Sequence, residues 1–322
     1  TLNFTGDEIT GTGITGQTIT YSRGTGATIK DAVSKEILDT DIPKSYSDGA
    51  KPVLLNASYK DINPVGQPDG TVDRVDVIYS EDITASTFEA GDWTFPTNGA
   101  SFTAASAALN GSIVEITVTG AAAETTVFGA TTVLYTATAG TTNSITDAAA
   151  TPNTALTSSA TNVEDAAPPI MKSAITGDAN TDGTIDQIVV TFSEPVDLTN
   201  VDNGNFTLTE SAGGSPLISG SYTANNVTSV TLTLTGVTAN NTSLTIDLNY
   251  NNNGGKTIKD HSGANEMWFN ESITGSDGVG PTVIITATDG TLSTAGNVVN
   301  NGSTTTDVGL ILTFTLSEPS SD

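Results

Sequence analysis

Four landmarks recur along the chain in one order, at a period of roughly 115 residues, and only a fold that itself repeats can satisfy them. The first is an acidic link ending in proline: Asp48 to Pro52, Asp165 to Pro169 and Asp277 to Pro281. Its prolines are spaced by 117 and 112 residues, and a β-prone run follows each. The second is a strand closing on Ser-Glu, at Ser80-Glu81, Ser193-Glu194 and Ser317-Glu318. The third is a glycine (Gly6, Gly120, Gly236) followed 14 or 15 residues later by Tyr21, Tyr135 or Tyr250. The fourth is Ile-x-Asp at Ile29/Asp31, Ile145/Asp147 and Ile258/Asp260.

Within the Ser-Glu strands the apolar residues alternate. Positions 75, 77 and 79 match 188, 190 and 192, and again 312, 314 and 316. A period of two places one apolar row on a core face, because successive strand side chains point to opposite sides. Thirteen residues after the serine stands Trp93 or Phe206, which the spacing assigns to the core. Turn dipeptides at Asn110-Gly111, Asn203-Gly204, Asn253-Gly254 and Asn301-Gly302 separate further short strands. About seven strands per unit predict an all-β protein, a string of tandem Ig-like β-sandwich domains arranged as beads. The Cys–Trp–Cys set of antibody domains is missing. Alanine-rich stretches near 103–109 and 120–124 are expected to make a turn or two of helix.

These landmarks divide the chain into residues 1–48, the C-terminal half of an Ig-like domain; 49–165 and 166–277, two complete domains; and 278–322, an N-terminal half. The leading expectation is an ordered stretch of a longer secreted array. The sharper alternative is that one subunit's N-terminal half docks on the C-terminal half of the next, since exposed sheet edges invite complementation.

Charge narrows the function classes. With 36 acidic and 10 basic side chains the net charge is −26, which argues against nucleic-acid binding and against attraction to an anionic membrane. Crowded carboxylates instead favour a divalent cation. There is no cysteine, so rigidity must come from packing, hydrogen bonds or metal. No apolar run is long enough to span a bilayer as a helix, so direct membrane insertion is not expected.

One motif carries that cation chemistry. Asp178-Ala-Asn180-Thr-Asp182-Gly183-Thr184-Ile-Asp186 has the form D-x-N-x-D-G-x-h-D. Positions 1, 3 and 5 direct side-chain oxygens inward, glycine allows the sharp turn, Thr184 offers its carbonyl and Asp186 a further oxygen, which suits Ca2+. Unlike an EF-hand, the loop has strand flanks and no glutamate at position 12. The preceding unit keeps both ends of the pattern around a four-residue insertion, with Asp61, Asn63, Asp69, Thr71 and Asp73 as candidate ligands. The third unit, around Asp289-Gly290, lacks it. The recurring Glu81, Glu194 and Glu318, with Asp48, Asp165 and Asp277, suggest further cations at domain junctions.

From Asp178 to Val196 the sequence resembles the bacterial Ig-like domains of S-layer proteins and large cell-surface adhesins, which pair such a loop with a strand ending S-E-P-V. The resemblance covers two full copies and one split copy. It implies an extracellular building block with calcium as ligand: a subunit of a self-assembling surface layer or filament, or the stalk of a large adhesin. The partners it implies are copies of the chain itself, meeting end to end or laterally.

Catalysis has little support. The lone His261 sits in a loop where sister repeats carry no histidine, and no nucleophile elbow, zinc pair or phosphate loop is present. Glu81 and Asp82, adjacent along a strand, face opposite ways and make a poor acid–base couple. The chain is expected not to be an enzyme. A carbohydrate-binding module, with cell-surface glycan as partner, is the more serious rival, and Trp268 is its free aromatic.

Overall fold

In the computed structural model the described residues are 18–19, 32–33, 44–45, 48–62, 68–84, 89–95, 103–119, 132–137, 144–149, 151–238, 245–261, 265–268, 270–289 and 310–317. Their regular elements are β-strands apart from one 3-10 turn at Ala90–Asp92, and the chain falls into two compact units. Thr1–Asn63 with Thr71–Ala166 form the first, and Pro64–Gly70 with Ala167–Asp322 the second.

The first unit contains β1 (Thr18–Ile19), β2 (Lys44–Ser45), β3 (Leu54–Lys60), β4 (Arg74–Tyr79), β5 (Ile83–Thr84), β6 (Trp93–Thr94), β7 (Thr103–Asn110), β8 (Ile113–Thr119), β9 (Thr132–Tyr135), β10 (Thr146–Asp147) and β11 (Thr161–Asp165). A seven-stranded sheet runs β6-β9-β11-β3-β4-β8-β7, and β5 pairs with β10. The alternation in β4 buries Val75, Val77 and Tyr79 against Ala57, Val114, Ile116 and Tyr135 in a single apolar cluster. Trp93 lies in this core, its ring 4.9 Å from that of Tyr135.

In the second unit are β12 (Met171–Gly177), β13 (Gln187–Asp202), β14 (Phe206–Glu210), β15 (Leu217–Ile218), β16 (Ser221–Thr235), β17 (Ile246–Tyr250), β18 (Thr257–Asp260), β19 (Ser272–Thr274), β20 (Val283–Asp289) and β21 (Leu310–Leu316). One sheet has the order β12-β13-β16-β15, with β18 also on β13; a second is β14-β17-β19; β20 and β21 form a hairpin of their own. Ile188, Val190, Leu232, Leu248 and Tyr250 are fully buried between them. Phe206 occupies the place of Trp93 and packs on Tyr250 with centroids 5.6 Å apart.

The Ser-Glu landmark marks where a strand changes partner. Pairing of β13 with β12 ends at Phe192, and pairing with β18 begins at Val196. Pro195, which has no N–H for a ladder, stands between them. The first unit makes the same change at the same register: Ile83 pairs with Asp147 as Val196 pairs with Asp260. The serine itself clasps the start of its unit. Ser80 Oγ accepts from the Val53 amide at 3.0 Å, Ser193 Oγ from Ile170 at 3.0 Å and Ser317 Oγ from Thr282 at 2.9 Å. Each serine amide returns a hydrogen bond to the carbonyl of the same residue.

The helix expected over 103–109 is overturned. Those alanines form β7, paired with β8 across the Asn110-Gly111 turn, where Gly111 takes φ 61°. Cross-strand pairing in a sheet outweighs the helical preference of alanine, which is worth only tenths of a kcal/mol per residue. The stretch 120–124 lies outside the described residues.

Candidate metal centres

The partner change in the first unit carries a buried acid to a second one. Glu81 precedes β5 by two residues, and β5 lies against the strand that ends at Asp147. Asp147 is fixed from two sides. Tyr135 Oη accepts the Ile145 amide at 3.0 Å, two residues before it, and the Asn153 side-chain amide donates to its Oδ2 at 2.7 Å. Asp48 joins from the link: its Oδ1 accepts the Ala50 amide at 2.8 Å, and its backbone carbonyl accepts from Asn153 Nδ2 at 3.3 Å. The carboxylates of Asp48, Glu81 and Asp147 thus offer one oxygen each, all within 4.8 Å of one another. Glu81 is 6% exposed and Asp147 1%. Asp48 Oδ2 is buried and accepts no hydrogen bond. Three like charges crowded away from water repel strongly. An all-oxygen anionic set is also what a hard divalent cation takes, so these residues fit calcium by donor chemistry.

The second unit repeats the frame. Tyr250 Oη accepts the Ile258 amide at 3.3 Å, Asn265 Nδ2 donates to Asp260 Oδ2 at 2.6 Å, and Glu194 and Asp260 are both buried. The sequence counterpart of Asp48 there is Asp165. In the third copy Asp277 Oδ1 accepts the Val279 amide at 2.9 Å, as Asp48 does that of Ala50, while Glu318 and Asp31 lie outside the described residues.

The Asp178–Asp186 loop is closed by its own side chains. Asp178 Oδ2 accepts the Gly183 amide at 2.8 Å, Asn180 Oδ1 that of Asp182 at 2.9 Å, Asp182 Oδ1 that of Thr184 at 2.9 Å, and Asp186 Oδ1 that of Ala179 at 2.8 Å. Thr181 and Gly183 adopt left-handed φ of 59° and 85°, the tight turn that glycine at position 6 permits. The oxygens therefore turn toward the loop centre. Unlike the buried set, Asp178, Asp182 and Asp186 do not all come within 4.8 Å of one another. In the variant loop Asp61 is buried and Asp73 Oδ2 accepts the Ile62 amide at 3.3 Å. Half-buried Thr71 makes a bridge, Asp69 belongs to the Pro64–Gly70 stretch grouped with the second unit, and Asn63 lies outside the described residues.

Asp147 and Asp260 were the ligand candidates missed in sequence. Their signal was present as the Ile-x-Asp landmark, but nothing in a linear pattern says that this acid faces the Ser-Glu acid across two strands. Asn153 and Asn265, which hold them, fall six and five residues later and share no motif. Of the other candidates, Trp268 is 45% exposed and lines a shallow depression with Lys172, Asn270 and Glu271. His261 Nδ1 lies 2.9 Å from Asp197 Oδ1 on the surface.

Residues 165–274 match the family model of the bacterial Ig-like domain, so the second unit contains such a domain within an all-β chain. No similar curated protein and no similar solved structure was found.

Proposed function

We propose that this chain is an extracellular, non-catalytic structural protein, a subunit of a self-assembling surface layer or filament built from calcium-stabilised Ig-like repeats. The observation that carries the reading is repetition. The Ser clasp, the Tyr–Ile bond and the buried acids recur at the same register from unit to unit. Selection for one reaction would differentiate one unit, whereas selection for a scaffold preserves the same frame in each. The match to a bacterial Ig-like domain supports a surface or secreted setting.

Calcium is the cation best suited to both the buried set and the Asp178–Asp186 loop, since it takes six to eight oxygens in flexible geometry. A ligand that binds only the folded state raises the melting temperature as its concentration passes its dissociation constant. Electron microscopy of the purified chain in calcium is expected to show layers or filaments. Monodisperse particles in both calcium and chelator would sink the assembly reading and leave an adhesin stalk. A second reading, glycan binding, rests on exposed Trp268; it requires glycan retention that survives chelation and is lost in Trp268→Ala.

A further inference from the structure

The Asp178–Asp186 loop does more than turn the chain between β12 and β13. At its sixth position Gly183 has φ 85°, and a Cβ built there would fall 2.7 Å from Thr282 Oγ1 and 3.9 Å from Thr282 Cβ and Ser317 Cβ. Thr282 and Ser317 are the two residues of the β20–β21 clasp. The Thr282 amide donates to Ser317 Oγ at 2.9 Å, and the Ser317 amide to the Thr282 carbonyl at 3.0 Å. The loop of one repeat is thus packed on the residues that open the next. Glycine is required there twice, for the left-handed turn and for the space that Thr282 occupies.

The link that leads into β20 is fastened beside this loop. The Thr176 amide donates to the Ser276 carbonyl at 3.0 Å, and the Gly278 amide to Thr176 Oγ1 at 3.2 Å, two residues before the loop begins. Val279 packs against the apolar cluster of the same sandwich. The hairpin is therefore held on both sides of Pro281, by the link before it and by the loop after it. The Pro64–Gly70 stretch, which belongs to the same unit, repeats the contact. Asp69-Gly70-Thr71 corresponds to Asp182-Gly183-Thr184, Gly70 takes φ 79°, and a Cβ on it would fall 3.2 Å from Ile170 Cδ1. Ile170 is the clasped residue of its sandwich, as Thr282 is of the hairpin. Two loops of one pattern bring their glycine to the same place on a clasp. A loop that only held an ion would meet no such requirement.

We propose that the Asp178–Asp186 loop is an interaction surface for the following repeat, and that a cation held in the loop tightens the clasp seated on it. This deepens the calcium reading of the loop and rests on it. With the charges of Asp178, Asp182 and Asp186 neutralised, Gly183 is restrained between the candidate ligands Asp182 and Thr184, and so is whatever packs on it. Coupling between two sites is reciprocal, so a seated clasp must favour the cation by the same factor, although Thr282 is outside the candidate ligand set.

Amide hydrogen exchange of the full chain, in calcium and in chelator, reads the loop and the clasp separately. In the wild type the amides of Asp182, Gly183 and Thr184, and those of Thr282 and Ser317, are expected to exchange about tenfold more slowly in calcium. Gly183→Asn keeps a residue that tolerates the left-handed turn but puts atoms where Thr282 lies. Calcium should then still protect the loop and no longer the clasp, and adding Thr282→Ala, which removes Oγ1, should restore clasp protection. Thr282→Tyr leaves the loop sequence intact and is expected to raise the calcium concentration that protects the loop by about fivefold. Wild-type loop protection without clasp protection, clasp protection that persists in Gly183→Asn, or an unchanged calcium requirement in Thr282→Tyr overturns the seat and leaves the calcium reading standing. Calcium that protects neither segment removes both readings.

Discussion

The hydroxyl of Tyr135 accepts the backbone N–H of Ile145 at 3.0 Å, and through that bond an aromatic core residue sets the position of Asp147, two residues further on. Tyr250 and Ile258 repeat the relationship for Asp260. Each bond is buried, so Tyr135→Phe and Tyr250→Phe each strand an amide away from water and are expected to cost about 1–3 kcal/mol. Urea denaturation of the two variants should show each loss in its own unit, with the shorter Tyr135 bond giving the larger one.

The same tyrosines set an alkaline limit. Burial pushes the Tyr135 and Tyr250 hydroxyls above their ordinary value, partly offset by the hydrogen bonds from Ile145 and Ile258. Burial also raises Tyr79, reinforced by Tyr135 and Asp92. A group whose pKa is raised on folding holds its proton more tightly in the native state. Its contribution is complete below the unfolded value, about 10, and is lost as pH climbs through the folded one. Denaturation midpoints should therefore fall above about pH 10. Near-ultraviolet titration should show these phenols ionising together with unfolding, not before it.

At the buried acids the sign of a substitution depends on the metal. In chelator Glu81→Gln removes one of three crowded charges and is expected to raise the melting temperature of the first unit. In calcium it removes a ligand and is expected to lower it. For a domain of about 100 residues, 1 kcal/mol corresponds to roughly 4–8 °C, which calorimetry resolves. A shift of one sign in both conditions would count against a cation between Asp48, Glu81 and Asp147.

The serine clasps separate burial from bonding. The Ser193 bond to Ile170 is buried, whereas the Ser80 bond to Val53 is exposed. Ser193→Ala should cost about 1–3 kcal/mol, because no water replaces the lost acceptor. Ser80→Ala should stay within about 0.5 kcal/mol. Chemical denaturation of the paired variants checks this difference.

Much of this architecture is visible in the sequence because a β-sandwich writes its core in period two. Val75, Val77 and Tyr79 could be matched to Ile188, Val190 and Phe192 without coordinates, and Trp93 could be assigned to the core from Phe206. The residues 103–109 could not be read correctly, since alanine's local preference opposes the strand that only β8 stabilises. The Asp178–Asp186 loop was legible because its hydrogen bonds stay within nine residues. Of the buried acids, Asp48 and Glu81 could be named as junction ligands from their recurrence but Asp147 could not, since the three meet only after strands far apart in the chain have paired. What sequence supplied was their recurrence; their convergence needed the fold.

The parallel course of first and last strands has a mechanical meaning. In the second unit Ser276 donates to the Ala174 carbonyl at 2.8 Å and accepts the Thr176 amide at 3.0 Å, joining the segment by which the chain leaves to the strand by which it enters. Because the two run the same way, tension applied along the chain pulls them in opposite directions past one another. Those hydrogen bonds lie across the pull and are loaded in shear, so they must fail together, not one by one as in an unzipping hairpin. Each sandwich is accordingly a tensile element, stiffest along the direction in which a chain of such units would be stretched.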